Sequence, residues 1–459
     1  MIDVKAAGAK GDGTTNDTAA LRAAVKQGGE IFFPAGTYVT GTLPIPSGTT
    51  LRFAAGARLF ASPDEADYIP AARDKRSRHD KHPSPYAFPE EGRAQYGLLY
   101  AFGAKNIRIV GGTLAADDKA YCREEPLGGV VTDETAVFAP DCFRQPPSWR
   151  RPVRPRPKML LFKKCENVAA EGLRIEKAPS FAGWFVNCKD LYFSRMTVRN
   201  DYAQPNADGL HFSSCKNVRV KNCDFRCGDD CVAIDCAAGN PCENVLVDHC
   251  VLETSIHAVR VYSGLDLDTV YGRDASAYVK DVTIENCRVR EGCAALIVNA
   301  CDGDVENILF RNVTMEQTIP GTALCFTANE GKIARVTVEE LRFTGNGGGY
   351  FFAEKNGAIE DVFVRNCSFE ITPVPKPHGD GYKKMATHAY GLPYGFVLNN
   401  VDSATFAGND IFIGDMDVSA YSEKDLAALK RALGEERYAA VFAPAKPFAV
   451  YDCRNFNKD

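Results

Sequence analysis

Residues 216–225 read KNVRVKNCDF, and the same ten-residue pattern returns along the chain. It recurs as KNIRIVGGTL (105–114), ENVAAEGLRI (166–175), KDLYFSRMTV (189–198), ENVLVDHCVL (243–252) and KDVTIENCRV (280–289). Further copies are ENILFRNVTM (306–315), ARVTVEELRF (334–343) and EDVFVRNCSF (360–369). The shared template is a polar residue, then Asn or Asp, then apolar–x–apolar, a short polar turn and a second apolar segment. Its Asn/Asp positions are 106, 167, 190, 217, 244, 281, 307 and 361, with Arg335 in the odd copy, and the best-kept spacings are 23, 27, 27, 26 and 28 residues. Period-2 alternation on a 20–30-residue repeat, without long helices, predicts a solenoid of parallel strands. Leucine-rich repeats share the period, but their Leu-x-x-Leu-x-Leu signature is absent. Asn222, Asn286, Asn312 and Asn366 recur at a second turn, where stacked amides can bond from coil to coil. The fold class is therefore all-β, a parallel β-helix.

Open solenoid ends need covers. Thr15-Asn16-Asp17 followed by TAALRAAVKQ predicts an N-terminal capping helix near 16–27, and EKDLAALKRALGEERYAAVF predicts an amphipathic helix over 423–442. The expected organisation is a β-helix over 1–415, with 1–60 as its capping region, and a helical tail over 416–459. Residues 62–95, 117–148, 264–277 and 372–395 depart from the repeat and read as insertions or long loops.

The 459 residues are 45% hydrophobic and 25% charged, with net charge -5 and pI about 5.9, as for a globular protein without global attraction to nucleic acid or membrane. No apolar run approaches a bilayer span. The first residues carry no leader pattern. Seventeen cysteines sit in columns, Cys165, Cys188, Cys215 and Cys242 in one and Cys223, Cys250 and Cys287 in another. Stacked reduced thiols explain this better than disulfides, which points to a cytoplasmic location. A leader removed before Met1 would change that to secreted or periplasmic. No zinc-type CxxC pairs occur, and no metal or cofactor is expected. A homo-oligomer is compatible with the sequence.

Asp208 precedes Asp229 and Asp230 by about one coil, and His257 follows Asp230 by another. Coils stack about 4.8 Å apart, so the register predicts Asp208, Asp229, Asp230 and His257 on one face. Crowded carboxylates raise at least one pKa. Glycoside hydrolysis needs that asymmetry, a protonated carboxyl for the leaving oxygen and an ionised one for water. Taken singly, Asn-Ala-Asp-Gly is a turn, Asp-Asp a solvated turn and His257 a half-buried polar residue. Their shared register is what argues for function.

The chain resembles glycoside hydrolase family 28, the polygalacturonase family. The resemblance rests on GAKGDGTTNDTAAL, FPAGTYVTGTL, GAKNIRIVGGTL, Trp149, RPKMLLFKKCENV, NADG at 206–209 and GDDCVAI at 228–234. It implies a right-handed β-helix and an inverting hydrolase without metal. It also implies Asp229 as general acid, with Asp208 and Asp230 positioning and activating water. The chain departs from the family pattern twice. Ile256-His257-Ala258 stands where the family has Gly-His-Gly, and Leu296-Ile297-Val298-Asn299 stands where it has the carboxylate-binding Arg-Ile-Lys. Arg260 and Arg273 are candidate replacement cations, against the ordinary reading of solvated arginines. Asn206, Tyr262 and Asn299 complete the expected substrate-binding set, and Trp184, Tyr202 and Tyr262 are either sugar platforms or packing. The basic stretches 73–82 and 150–158 read as solvated loops or as the rim of a groove for an acidic glycan.

The expected function is hydrolysis of pectin-type or related oligosaccharides, exo-acting if the insertions wall off a groove. Alternatives are a polysaccharide lyase on the same fold and a non-catalytic carbohydrate-binding β-helix.

Overall fold

The structure, a computed structural model, describes residues 1–72, 95–126, 148–264, 273–319, 321–375, 394–419 and 421–459. It comprises two compact units, one of Met1–Glu124 with Arg150–Val251, the other of Glu125–Trp149 with Leu252–Asp459. Each is a stack of right-handed parallel coils, the hand that parallel crossovers almost always take. A coil of the first unit runs Leu210–Ser213, Lys216–Lys221, Asp224–Cys227. Every strand of it pairs in parallel with its equivalent one coil back, Leu210 opposite Gly183, Val218 opposite Leu191, Phe225 opposite Val198. The second unit repeats the plan, with His257–Ser263 paired to Ala294–Ala300 and Tyr278–Glu285 paired to Asp304–Glu316.

The template's Asn/Asp residues are where the chain turns. Asn106, Asn167, Asp190, Asn217 and Asn244 in the first unit all have φ between 55° and 59°. Asp281, Asn307, Arg335 and Asp361 do the same in the second unit, between 54° and 58°. Asn and Asp enter this left-handed region at least cost among residues with a side chain, which explains the template. The amides then bond along the stack: Asn217 Nδ2 donates to Asp190 Oδ1 at 2.7 Å, and Asn244 Nδ2 to Asn217 Oδ1 at 2.8 Å. At the second corner Asn222, Asn286, Asn312 and Asn366 are also left-handed, and Asn312 donates to Asn286 at 2.8 Å.

Between corners, alternate residues point inward. Val218 and Val220 are fully buried while Arg219 and Lys221 are half-buried. Inward residues at one register position form columns. Phe162 meets Phe185 edge-on with centroids 5.7 Å apart, Phe185 stacks on Phe212 at 5.5 Å, and Phe326 lies parallel on Phe351 at 4.5 Å. Each contributes about 1.5–3 kcal/mol by burial. No disulfide joins the described cysteines, and all but Cys453 are buried. The thiols of Cys188 and Cys215 donate to the carbonyls of Phe162 and Phe185 at 3.3 and 3.2 Å.

The ends differ in detail from expectation. The N-terminal helix spans Thr18–Val25, and the Asp17 carboxylate does not cap it. Instead it accepts from the backbone N–H groups of Lys10 and Gly11 at 2.6 and 2.9 Å, tying the helix start to the preceding loop. The C-terminal helix is two, Glu423–Leu433 and Glu435–Val441, broken at Gly434 with φ 78°. Beyond them Lys446–Tyr451 and Asn455–Lys458 pair with Tyr394–Asn399 and Ser403–Ala407, so the tail ends as strands.

Replacing Asn217 by Ala should cost about 2 kcal/mol, combining left-handed strain with two lost amide bonds. Asn217→Gly, free of the strain, should cost roughly half as much. A thermal melt in which both variants match wild type would show that the ladder does not stabilise the stack.

Candidate active site

Asp208 lies in the loop joining Thr197–Arg199 to Leu210–Ser213. Two buried arginines hold that loop. Arg150 bridges Asp118 at 2.6 Å and Asp201 at 2.9 Å. Arg156 donates to the carbonyls of Pro179 and Pro205 and, at 2.9 Å, to Asn206 Oδ1. Within 150–158 the readings of solvated loop and groove rim are both overturned for Arg150, Arg156 and Lys158, which are at most 7% exposed. Buried guanidiniums need several acceptors, and the carbonyl-rich approach to Asp208 supplies them. Asn206 thereby spends its side-chain oxygen on the scaffold. The stretch 73–82 lies outside the described residues.

Asp229 and Asp230 follow Gly228 at the equivalent turn one coil on. Their approach to the Asp208 loop explains both motif glycines. A Cβ on Gly228 would sit 2.4 Å from the Asp201 carbonyl oxygen, and one on Gly209 2.3 Å from that of Cys231. The Gly209 N–H donates to the Asp230 carbonyl at 2.9 Å, and the Asp230 N–H to Asp229 Oδ1 at 3.0 Å. The three carboxylates are thus brought together, with unequal exposure: Asp208 and Asp230 are buried, Asp229 half-exposed. Burial raises the Asp208 pKa above the carboxylate range; its hydrogen bond to His211 and the charge of that residue oppose the shift, and the Asp230 charge adds to it. Asp208 Oδ1 is buried without a hydrogen-bond partner among the described residues.

His211 is the residue that sequence reasoning missed. Its Nδ1 lies 3.1 Å from Asp208 Oδ2 and its Nε2 2.6 Å from Asp235 Oδ2. Ser213 Oγ donates to the same Asp235 oxygen at 2.7 Å, and Trp184 Nε1 to Ser213 Oγ at 3.0 Å. Burial disfavours the imidazolium, but the two carboxylates outweigh it and the pKa is pushed up to about 10. A signal was present. His211, Ser213 and Asp235 are polar residues on strands whose four positions are all buried, and Ser213 pairs with Asp235 in register.

His257 opens the strand His257–Ser263 of the second unit and is 6% exposed. On that strand the Arg260 guanidinium lies 4.3 Å from the Tyr262 ring centroid. Arg273 is held by both carboxylate oxygens of Asp304, one at 2.8 Å. Asn299 is fully buried, donates to Thr327 Oγ1 at 2.7 Å and has an unpartnered Oδ1 among the described residues. Trp184, 4% exposed and bonded to Ser213, is packing rather than platform; Tyr202 stacks under Arg226 at 4.6 Å. Of the insertions, 73–94, 127–147, 265–272 and 376–393 lie outside the described residues.

The His211 proton is held more tightly in the fold than in the unfolded chain, whose value is 6.5. Its stabilisation is therefore complete below pH about 6.5 and withdrawn as pH climbs towards about 10. Melting temperatures across that window should fall more steeply for wild type than for His211→Asn. Parallel curves would mean that His211 does not carry the charge.

Residues 147–324 match the family model "Glycosyl hydrolases family 28", and residues 1–56 match "Rhamnogalacturonase A/epimerase, pectate lyase-like". The exo-poly-alpha-D-galacturonosidase of Dickeya chrysanthemi is 25% identical over 410 residues, 81% of this chain and 64% of that protein. Polygalacturonase-2 of Solanum lycopersicum is 22% identical over 324 residues, 69% of this chain and 60% of that protein. The chain thus spans somewhat under two thirds of each relative's length. The family 28 exopolygalacturonase of Yersinia enterocolitica shares the fold at a TM-score of 0.57 and 17% identity, over 99% of this chain and 77% of its own. Fold, carboxylate cluster and family match point the same way: residues 147–324 of this chain are similar to the glycosyl hydrolases family 28.

Proposed function

We propose that the protein hydrolyses glycosidic bonds of pectin-type oligosaccharides with inversion at the anomeric carbon. The observation that carries this reading is the unequal carboxylate trio, two buried acids beside a half-exposed one. Asp229, the accessible member, is the general acid: it protonates the glycosidic oxygen as the C1–O bond breaks. Water attacks C1 from the opposite face and loses a proton to Asp208, while Asp230 orients it. The expelled alcohol carries the Asp229 proton, so the acid and base exchange states and are reset through solvent.

Galacturonide substrates are the class we favour, because the Dickeya chrysanthemi and Solanum lycopersicum relatives are named for that activity. Exo-action follows the name of the first of these. A uronate needs a cation, and Arg260 and Arg273 are the two candidates, of which Arg273 is held by Asp304. The buried, unbridged thiols support a reducing compartment.

Asp229→Asn should lower kcat by about 10²–10⁴-fold with an unchanged near-ultraviolet CD spectrum. Proton NMR of the first turnovers on oligogalacturonides should show the product with inverted anomeric configuration. Because the Asp208 pKa is raised, the acid limb of kcat/KM should lie above about 4, the ordinary carboxylate value. Full activity in Asp229→Asn, or retention of configuration, would refute the mechanism.

A further inference from the structure

Three features make His211 more than packing. First, the hydrogen-bond directions around Asp235 are determined. An indole N–H can only donate, so Ser213 Oγ accepts from Trp184 and must turn its own hydrogen to Asp235 Oδ2. The other Asp235 oxygen accepts the Ala237 N–H at 2.6 Å. Asp235, fully buried, is therefore anchored at both oxygens before His211 is considered. Second, both ring nitrogens of His211 face carboxylate oxygens. With both carboxylates ionised, a neutral imidazole offers one N–H and would leave a lone pair against an acceptor, whereas the doubly protonated ring satisfies both. Third, the ring is wedged between Phe181 and Trp184, with centroids 5.0 and 6.3 Å away.

We propose that His211 is a positioning residue of the hydrolytic centre: braced by Asp235, it occupies Asp208 Oδ2 and leaves Oδ1 to take the proton of the attacking water. This rests on the hydrolase reading above. That Oδ1 has no hydrogen-bond partner among the described residues, in a residue 3% exposed, is the complement of the engaged state of Oδ2. A buried carboxylate with both oxygens satisfied would be a poor base, and one with neither would lack a defined orientation. The charged groups facing this arrangement are Asp208 from the loop leading into the His211 strand, Asp235 from the paired strand, and Asp230, whose charge acts on Asp208. On the other side, the Lys158 and Lys163 ammonium groups lie over Trp184 at 6.0 and 5.8 Å, with Lys158 also 5.5 Å from Phe181. The lysines oppose a cation at His211, but the two carboxylates touch it directly.

The test uses the full-length protein. In ¹⁵N-histidine NMR from pH 6 to 9, one ring should stay protonated at both nitrogens, and His211→Asn should delete that signal. In kinetics, His211→Leu keeps volume but not the donor and should lose on the order of 100-fold in kcat with KM little changed. Its acid limb should move to higher pH, because Asp208 has lost the cation that lowers its pKa. His211→Asn, which retains a side-chain N–H near Nδ1, should recover part of both effects. Asp235→Asn should mimic His211→Leu and add little in the double variant. If His211→Leu does not fold, the comparison of His211→Asn with Asp235→Asn decides. A His211 ring titrating near 6.5, or His211 variants with wild-type kcat and acid limb, would overturn the proposal. A wild-type protein that cleaves no glycan would instead sink the hydrolase reading, with the NMR result still reporting on His211.

Discussion

Parallel backbone pairing between equivalent positions of successive coils is the constraint on which everything else in each unit depends. A parallel ladder holds strands at one spacing and in one register, so any residue type repeated at the coil period becomes a column. Where the column is Phe, the rings stack; where it is Asn, the amides bond; where it is Cys, the thiols donate to carbonyls of the previous coil. The left-handed corners make this possible. Each corner must reverse direction in very few residues, and Asn or Asp reaches the required φ at little cost while its side chain adds a coil-to-coil bond.

The same periodicity that builds the columns makes the carboxylate centre costly. Asp208, Asp230 and Asp235 are all at most 3% exposed, a burial of negative charge that apolar packing alone would not tolerate. His211 offsets that cost by contacting two of the three. The arginines serve the approach to the site in a similar way, Arg150 pairing with the buried Asp118 and with Asp201, and Arg156 donating to the carbonyls of Pro179 and Pro205. Site geometry is thus set from two sides, by buried cations and by glycines that let neighbouring turns touch.

Much was legible in the residues themselves. The 23–28-residue spacing of Asn/Asp announced parallel coils, and the distance from Asp208 to Asp229 and Asp230 announced their meeting, because both depend only on counting residues along a regular ladder. The helix near 16–27 was found, but not the use of Asp17, whose carboxylate turns to a loop six or seven residues upstream. The C-terminal segment read as a continuous helix because its apolar spacing is helical, yet Gly434 breaks it and the chain then rejoins the sheets. Arg150 and Arg156 looked like surface charge, since composition cannot reveal which cations find buried acceptors.

Sequence by itself determined the periodic part of this protein: strand, corner, core column and the meeting of the turns that carry Asp208, Asp229 and Asp230. Those properties are local or one coil long, and a repeat carries them from the printed order of residues. Only the tertiary structure decided the electrostatic state of the centre. That His211 lies between Asp208 and Asp235, that Asp235 is anchored by Ser213 and Ala237, and that Asp208 keeps one oxygen unpaired among the described residues depend on side-chain directions on the outward face of the sheet. Periodicity gives the address of a residue on that face, while burial and hydrogen bonding give its charge.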